Sequence, residues 1–359
     1  MTQTHRVAVI CAHNPKNSGM YCVDSSAQDY FNSRGIPHDL IVTQGRAHIG
    51  GLQYHRLSTP ADFAPYQSVV YWGDFLTNPL WGQRDYLTRR STHGSPSTVE
   101  EWLTLYLRLK QFNPHQRIIV AGGCALGGNA HCNSPVIREA YQQFLLDADA
   151  LILRDPGSVE EVKSIQPHAT PRLGFDCAAL LGTPERHRKS PIRYFVYAFQ
   201  RTLSPNDAER VVRETELLTG MKGIEVGWLR NRWPRKFFHI RLAAQLALIA
   251  RAQFCITDIY HLNICAMGHG TPAICIADPL GPVTSTLNEP KKHLLYNMLR
   301  LPQHLIIWNS DWDKSLSAAI DALQLDAPSP PAWARSFLSQ KQCLLHQLDQ
   351  IFVTPARSG

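Results

Sequence analysis

The chain has 359 residues, 44% of them hydrophobic and 18% charged, with a formal net charge of +7. The charged share lies below the usual value of about 25%, which excludes a disordered chain and leaves enough apolar material for two domains of roughly 100–200 residues. The positive charge suits an anionic ligand, but no basic repeat interleaved with aromatics supports nucleic acid as a partner.

The elements are read from short apolar runs alternating with helical patterns. RVAVICA at 6–12 reads as a strand, 25–34 as a helix, and HDLIVT at 38–43 and SVVYWGD at 68–74 as further strands. The pattern over 98–112 predicts one long helix, capped by Ser97 or Thr98, with Glu100 and Glu101 in its first turn. RIIVAGG (117–123) is a strand, 134–146 a helix, and ALILRD (150–155) a strand. The polar, basic stretch 182–191 reads as a linker. Beyond it the alternation resumes: IRYFVYAFQR from 192, helix 205–218, KGIEVGW, helix 237–252, FCITD, helix 259–268, AICIAD, helix 291–299 and HLIIWNS, then a last helix over 334–351. Strands separated by helices imply right-handed crossovers and mostly parallel sheets. The expected class is therefore α/β, with two Rossmann-like doubly wound domains, 1–185 expected on the acceptor side and 190–328 on the donor side. A C-terminal helix at 332–353 is free to return to the first domain. In such folds ligands bind at the carboxyl ends of strands, here in an interdomain cleft.

Nine cysteines are spread singly, with no CxxC pair, and Cys11, Cys255, Cys265 and Cys275 sit in apolar runs as small core residues. This usage points to a reducing compartment. The N-terminal apolar stretch is too short for a signal peptide, and no run reaches the 18 apolar residues of a membrane helix. A cytoplasmic protein without an integral membrane segment is the expectation. Sixteen histidines are present, none with metal-ligand spacing, so no metal is expected.

Strand exits are where chemistry is expected. After the first strand, HNPKNSGM offers Asn17 and Gly19 near a helix start, where backbone amides can approach an anion, or where Gly19 merely makes a turn. After the third, Asp74 is a candidate base or sugar ligand, and equally a cap. AGGCALGG (121–128) lets the backbone approach a ligand or turn tightly, but lacks the Gly-Lys-Ser/Thr of a P-loop. Arg154 and Asp155 end another strand: the arginine can bind a carboxylate bidentately or pair with the aspartate. Arg201 leaves the first strand of the second half. Arg230 and Lys236 lie in a basic loop that fits phosphate or an acidic glycan, or is simply solvated. In FCITDIYHLNICAMGHGTP, Asp258 is placed to cap the next helix, with His261 one turn on and in reach of its carboxylate. Such a pair sets a histidine's tautomer and basicity.

Read in order, these pieces resemble the polysaccharide pyruvyltransferase family: the NxG element (Asn17, Gly19), RDxxS (Arg154, Asp155, Ser158), Phe175-Asp176, a strand ending at Arg201, TDxxHxxxxAxxxGxP (Thr257, Asp258, His261, Ala266, Gly270, Pro272) and Lys291-Lys292. The resemblance implies a fold similar to the B-type glycosyltransferases (GT-B). It also implies phosphoenolpyruvate as co-substrate without a further cofactor, and a glycan or glycosylated carrier as acceptor, as in exopolysaccharide biosynthesis. Peripheral association with a lipid-linked glycan and the oligomeric state stay open. On this assignment His261, Asp258 and Asp74 are catalytic. Arg201, Arg154, Arg230, Lys236 and Lys291 hold the donor, and Asn17, Gly19 and Asp155 meet the acceptor. The family has arginine after the core aspartate, where this chain has Ile259, so either Arg201, Arg154 or the basic loop supplies the charge, or the donor differs, or activity is lost. Two alternatives remain: a glycosyltransferase with a nucleotide-sugar donor, and a non-catalytic glycan-binding relative.

Overall fold

The computed structural model describes residues 6–11, 17–43, 48–73, 76–80, 82, 99–132, 134–182, 190–229, 234–280, 288–323 and 332–353. The chain divides into two compact units. One comprises Met1–Asn14, Val23–Cys177 and Cys343–Gly359; the other comprises Pro15–Cys22 and Ala178–Gln342.

The first unit contains β1 (Val7–Ile10), most of α1 (Ser18–Ser33), β2 (His38–Val42), β3 (His48–Ile49), β4 (Leu52–Arg56), β5 (Ser68–Trp72), β6 (Arg117–Gly123), α2 (Pro135–Asp147), β7 (Ala150–Leu153), α3 (Pro156–Ile165) and β8 (Arg172–Leu173). Its sheet order is β3-β4-β2-β1-β5-β6-β7-β8. Every pairing is parallel except β3 with β4. β1 and β5 are buried along their whole length, as expected of parallel strands covered on both faces. Tyr71, Trp102, Tyr106 and Phe144 anchor the core on one side of this sheet. The helix expected over 98–112 is broken: Val99–Trp102 gives way to a wide turn at Leu103–Leu107, where Arg108 N–H reaches back to Leu103 O, before Leu109–Phe112 resumes.

The second unit contains β9 (Tyr194–Ala198), α4 (Pro205–Thr219), β10 (Lys222–Glu225), α5 (Phe238–Arg251), β11 (Cys255–Thr257), α6 (Tyr260–Gly268), β12 (Ala273–Ala277), α7 (Asn288–Met298), β13 (Leu305–Ile307) and α8 (Trp312–Ala322). The last helix, α9 (Ala332–Phe352), contributes its first half to this unit. All four pairings of the order β10-β9-β11-β12-β13 are parallel. Local chemistry sets the boundaries. Ser204 Oγ accepts the Asp207 N–H at the start of α4, Pro205 needs no donor there, and Gly220 ends the helix at φ 66°. Phe195 and Phe254 stack 5.2 Å apart in the core, with Ile256, Ile274, Ile306 and Leu316 around them. Cys11, Cys255, Cys265 and Cys275 are buried, as expected. Both units are thus doubly wound parallel α/β structures, the fold class expected from the alternation of strands and helices. Among the described residues no helix is long and apolar enough to cross a membrane.

Candidate active site

In the second sheet, β9 has its sequence successor β10 on one side and β11 on the other. The connections leaving β9 and β11 therefore diverge, and this switch point, beyond the carboxyl ends of the strands, is where doubly wound sheets bind ligands. β9 and β11 run in register, Thr257 opposite Ala198, so Asp258 emerges level with the segment that follows β9.

Asp258 is fully buried. Its Oδ1 accepts the Gln200 N–H at 2.9 Å. Its Oδ2 accepts those of Arg201 (2.9 Å), Thr202 (2.7 Å) and Leu203 (3.2 Å). Four successive amides curled round one carboxylate form an anion nest filled by the chain itself. This corrects the sequence expectation. Asp258 does not cap α6, whose start carries no side-chain cap, and its hydrogen bonds run to the neighbouring loop rather than to His261. The physical reason is supply: an isolated buried carboxylate is costly, and the loop after β9 offers four orphan donors in one place. The effect is to fix the backbone that carries Arg201. The Arg201 side chain is exposed and makes no hydrogen bond or ion pair among the described residues.

A second anchor was missed by sequence reasoning. Lys291 was singled out, but Lys292 is the buried one. Its Nζ donates to Thr202 Oγ1 (2.7 Å), to both carboxylate oxygens of Glu289 (2.7 and 2.9 Å) and to Ile276 O (3.2 Å). Glu289 also accepts the Asp278 N–H at 2.7 Å. One ammonium thus ties the loop after β9, the end of β12 and the first turn of α7. Lys291, one step of about 100° round the helix, is half-buried. The signal available in the sequence was the i, i+3 spacing of Glu289 and Lys292 at a helix start.

Asp278, at the exit of β12, was also missed. It is half-buried. Burial pushes its carboxyl above the ordinary range, Glu289 adds to this, and Lys292 opposes it. A carboxyl raised in this way on the rim of a sheet is a candidate for proton transfer.

His261 lies in the first turn of α6, half-buried, with its ring edge-on to Tyr260 at 5.3 Å. Gly19 sits directly against it: a Cβ at position 19 would stand 2.4 Å from the His261 Cβ and 2.8 Å from its Cγ. Asn17 and Gly19 make local contacts here. Asn17 Oδ1 accepts the Gly19 N–H at 2.9 Å beside the start of α1, and the missing side chain of Gly19 makes room for the imidazole. Ser18 Oγ donates to Gln245 Oε1 at 3.3 Å. The sequence singled out Gly19 and His261 separately, and the fold puts them together.

In the first unit, Arg154 is buried and its Nη1 lies 3.1 Å from Asp176 Oδ2. Asp155 is buried too and caps α3, accepting Ser158 N–H at 2.7 Å and its hydroxyl at 3.0 Å. Ser158 Oγ in turn accepts the Ala125 N–H, bracing the glycine-rich turn after β6. The RDxxS element is therefore a brace: Arg154 pairs with Asp176 and, at 3.8 Å through its Nε, with Asp155, the pairing that was one of the two sequence readings. Buried ion pairs of this kind are kept because removing one partner strands the other. Lys236 is exposed, its ammonium 4.9 Å from the Phe237 ring. Asp74 and Arg230 lie outside the described residues. Ile259 is buried, and its carbonyl accepts from the Asn263 side chain, so position 259 faces the interior and cannot present a cation.

A carboxylate-filled nest, an arginine held on it, an imidazole and a carboxyl raised by burial thus stand at the ends of three adjacent parallel strands. The polysaccharide pyruvyl transferase family model matches residues 93–278, just over half of the chain, and the chain belongs to that family. It is a transferase. The match spans Arg154, Arg201, Asp258, His261 and Asp278, and leaves out Asn17, Gly19 and Lys292. No curated relative matches at the sequence level. Among solved structures, the chain is similar to UDP-GlcNAc 2-epimerase from Methanocaldococcus jannaschii, with 10% identity, 97% of this chain and 100% of that one covered, and a TM-score of 0.46. It is similar to Escherichia coli heptosyltransferase WaaC with ADP (14%, 88% and 99%, TM-score 0.36). Anabaena HepE in complex with UDP and glucose is similar as well (11%, 96% and 99%, TM-score 0.43).

Proposed function

We propose that the protein transfers the pyruvyl group of phosphoenolpyruvate to a pair of hydroxyls on a glycan sugar, forming a ketal and releasing phosphate. The observation that carries this reading is the placement of Arg201: a guanidinium without a hydrogen bond or ion pair among the described residues, on a loop whose amides are pinned by Asp258 at the switch point of the sheet. Family membership supports the donor class, and with Ile259 buried, Arg201 is our choice for the cation that holds a carboxylate or phosphate.

The chemistry needs a proton delivered to the methylene carbon, which becomes the methyl group and leaves an oxocarbenium-like centre at C2. One sugar hydroxyl attacks C2 and loses its proton to a base; the second then attacks C2 as the C2–O bond to phosphate breaks, and its proton leaves with the departing phosphate. Two side chains on this rim serve as proton carriers: His261, positioned by the space that Gly19 leaves, and Asp278, its carboxyl raised by burial. Asp258 acts as a positioning residue. It has no open face for substrate, and its work is to fix the arginine's backbone.

The test is a thermal-shift titration with phosphoenolpyruvate and with UDP-sugars, paired with phosphate release on glycan acceptors. Ligand at 100 times its dissociation constant adds about 2.7 kcal/mol of stability. Stabilisation by phosphoenolpyruvate, lost in Arg201→Ala, and phosphate release with a new ketal methyl signal are expected. Stabilisation by UDP-sugars alone overturns the reading in favour of a glycosyltransferase. Glycan binding without phosphate release from any donor overturns it in favour of a binding protein.

A further inference from the structure

A cavity of about 610 Å³ opens beside the switch point, walled by the carboxyl half of β9, the first turns of α4 and the end of β10. Its volume falls within the roughly 300–1,000 Å³ of ligand pockets. The floor is aromatic. Tyr197 and Phe199 lie on the same face of β9 as Phe195, because side chains two apart share a face. Phe195 is sealed beneath α4, whereas the next two rings, stacked at 5.8 Å and 23° to one another, are left partly open.

The walls are charged, and most of these charges have no hydrogen bond or ion pair among the described residues. Arg201 and Arg213 face the cavity with Glu209, Glu216 and Glu225. Glu216 is fixed by the Gly223 N–H at 3.1 Å and by Lys222. Among the described residues, Glu209, Glu225, Arg213 and the Tyr197 hydroxyl have no hydrogen bond or ion pair. Burial and these three carboxylates keep the phenol protonated, hence a donor. With Arg201 given to the donor at the cavity's edge, the rest of the lining sets Arg213 against three carboxylates, a negative balance that is wrong for a dianionic donor such as phosphoenolpyruvate. It matches a neutral ring edged with hydroxyls, which donate to carboxylates, accept from guanidinium and phenol, and rest their apolar C–H face on an aromatic ring. Gln200, Arg201 and Leu203 belong both to this cavity and to the loop pinned by Asp258, so a ring seated here lies next to the donor's cation.

We infer that this cavity is the acceptor subsite, taking a neutral hexopyranose unit of the glycan on the Tyr197–Phe199 platform with its hydroxyls held by Glu209, Glu225 and Arg213. The inference rests on the transferase reading above and replaces Asn17, Gly19 and Asp155 as the acceptor contacts.

The test is saturation-transfer NMR on the whole chain with methyl α- and β-glucosides and -galactosides, cellobiose and lactose, in wild type, Tyr197→Ala, Tyr197→Phe, Glu225→Gln and Glu209→Gln. Circular dichroism and melting midpoint confirm folding. Expected is glycoside binding that weakens about tenfold or more in Tyr197→Ala and Glu225→Gln and less in Tyr197→Phe, with phosphoenolpyruvate-induced stabilisation unchanged in all four. Absence of signal from every glycoside, glycoside binding indifferent to these substitutions, or uridine diphosphate binding that Tyr197→Ala abolishes each overturns it. The two readings fail separately. Pocket-dependent glycoside binding without pyruvyl transfer refutes the reaction and keeps the subsite. Pyruvyl transfer whose acceptor KM ignores Tyr197 and Glu225 does the reverse.

Discussion

The Asp258 carboxylate and the Arg201 backbone amide are 2.9 Å apart, and the same carboxylate holds the three amides around it. Replacing Asp258 by asparagine keeps the shape but turns an amide NH₂ toward N–H donors. Asp258→Asn is expected to lose about 2–4 kcal/mol in urea denaturation, because buried donors lose a charged acceptor. Transferase activity falls with it, although the residue touches no substrate.

Gly19 and His261 are coupled by contact. A Cβ 2.4 Å from another Cβ forces backbone movement, so Gly19→Ala is expected to cost about 1–3 kcal/mol despite alanine's better helix propensity. His261→Ala does not relieve this clash, since its Cβ remains. A double-mutant cycle of Gly19→Ala with His261→Gly is expected to show a coupling energy of about 1 kcal/mol or more.

Lys292 and Lys291 differ in consequence. Lys292→Met strands Glu289 beside Asp278 and is expected to cost about 2–4 kcal/mol. Lys291→Met is expected to cost under about 1 kcal/mol, as most partly exposed substitutions do. Chemical denaturation of the two variants side by side checks this.

Asp278 gives a pH signature. Its carboxyl is raised above the ordinary range by burial and by Glu289, so as a proton donor it is active in the protonated form, and the rate falls as pH rises through its pKa. Asp278→Asn is expected to remove that basic limb from the pH–rate profile. A limb that persists in Asp278→Asn and vanishes in His261→Gln assigns the proton to the imidazole.

His304 makes the fold acid-sensitive. It is almost fully buried, and burial lowers its pKa, opposed in smaller part by the Ala322 backbone. At pH values below the unfolded histidine value of about 6.5 and above the folded one, the unfolded chain binds a proton that the folded chain does not. Stability therefore rises with pH in that window and is lost as pH falls through it. Denaturation midpoints measured from pH 7.5 to 5 are expected to decline in wild type and to flatten in His304→Leu.

Much of the architecture was legible because parallel strands buried on both faces appear as apolar runs. VAVI, SVVYW, RIIVAGG and AICIA were each read within a residue or two of their ends. β4 was not, since LQYHR sits near a sheet edge and exposes most of its side chains. Helix α8 was overlooked, although Trp312, Leu316 and Ala319 recur at helical spacing and are the residues it buries. At the site, the strand-exit rule found Asp258, His261 and Arg201. It misassigned Asp258's partner, because a carboxylate's choice between its own helix and a loop 55 residues away is made by tertiary geometry. Lys292 was missed for a related reason. Adjacent lysines on one helix point about 100° apart, and only the packing decides which is inside.

The single amine of Lys292 knots together three chain ends that belong to different crossovers. None of them can fray alone without leaving that cation or Glu289 exposed. The protons on the amides of 200–203 and 278 should therefore exchange with solvent through one shared opening event, at one common rate, rather than each on its own clock.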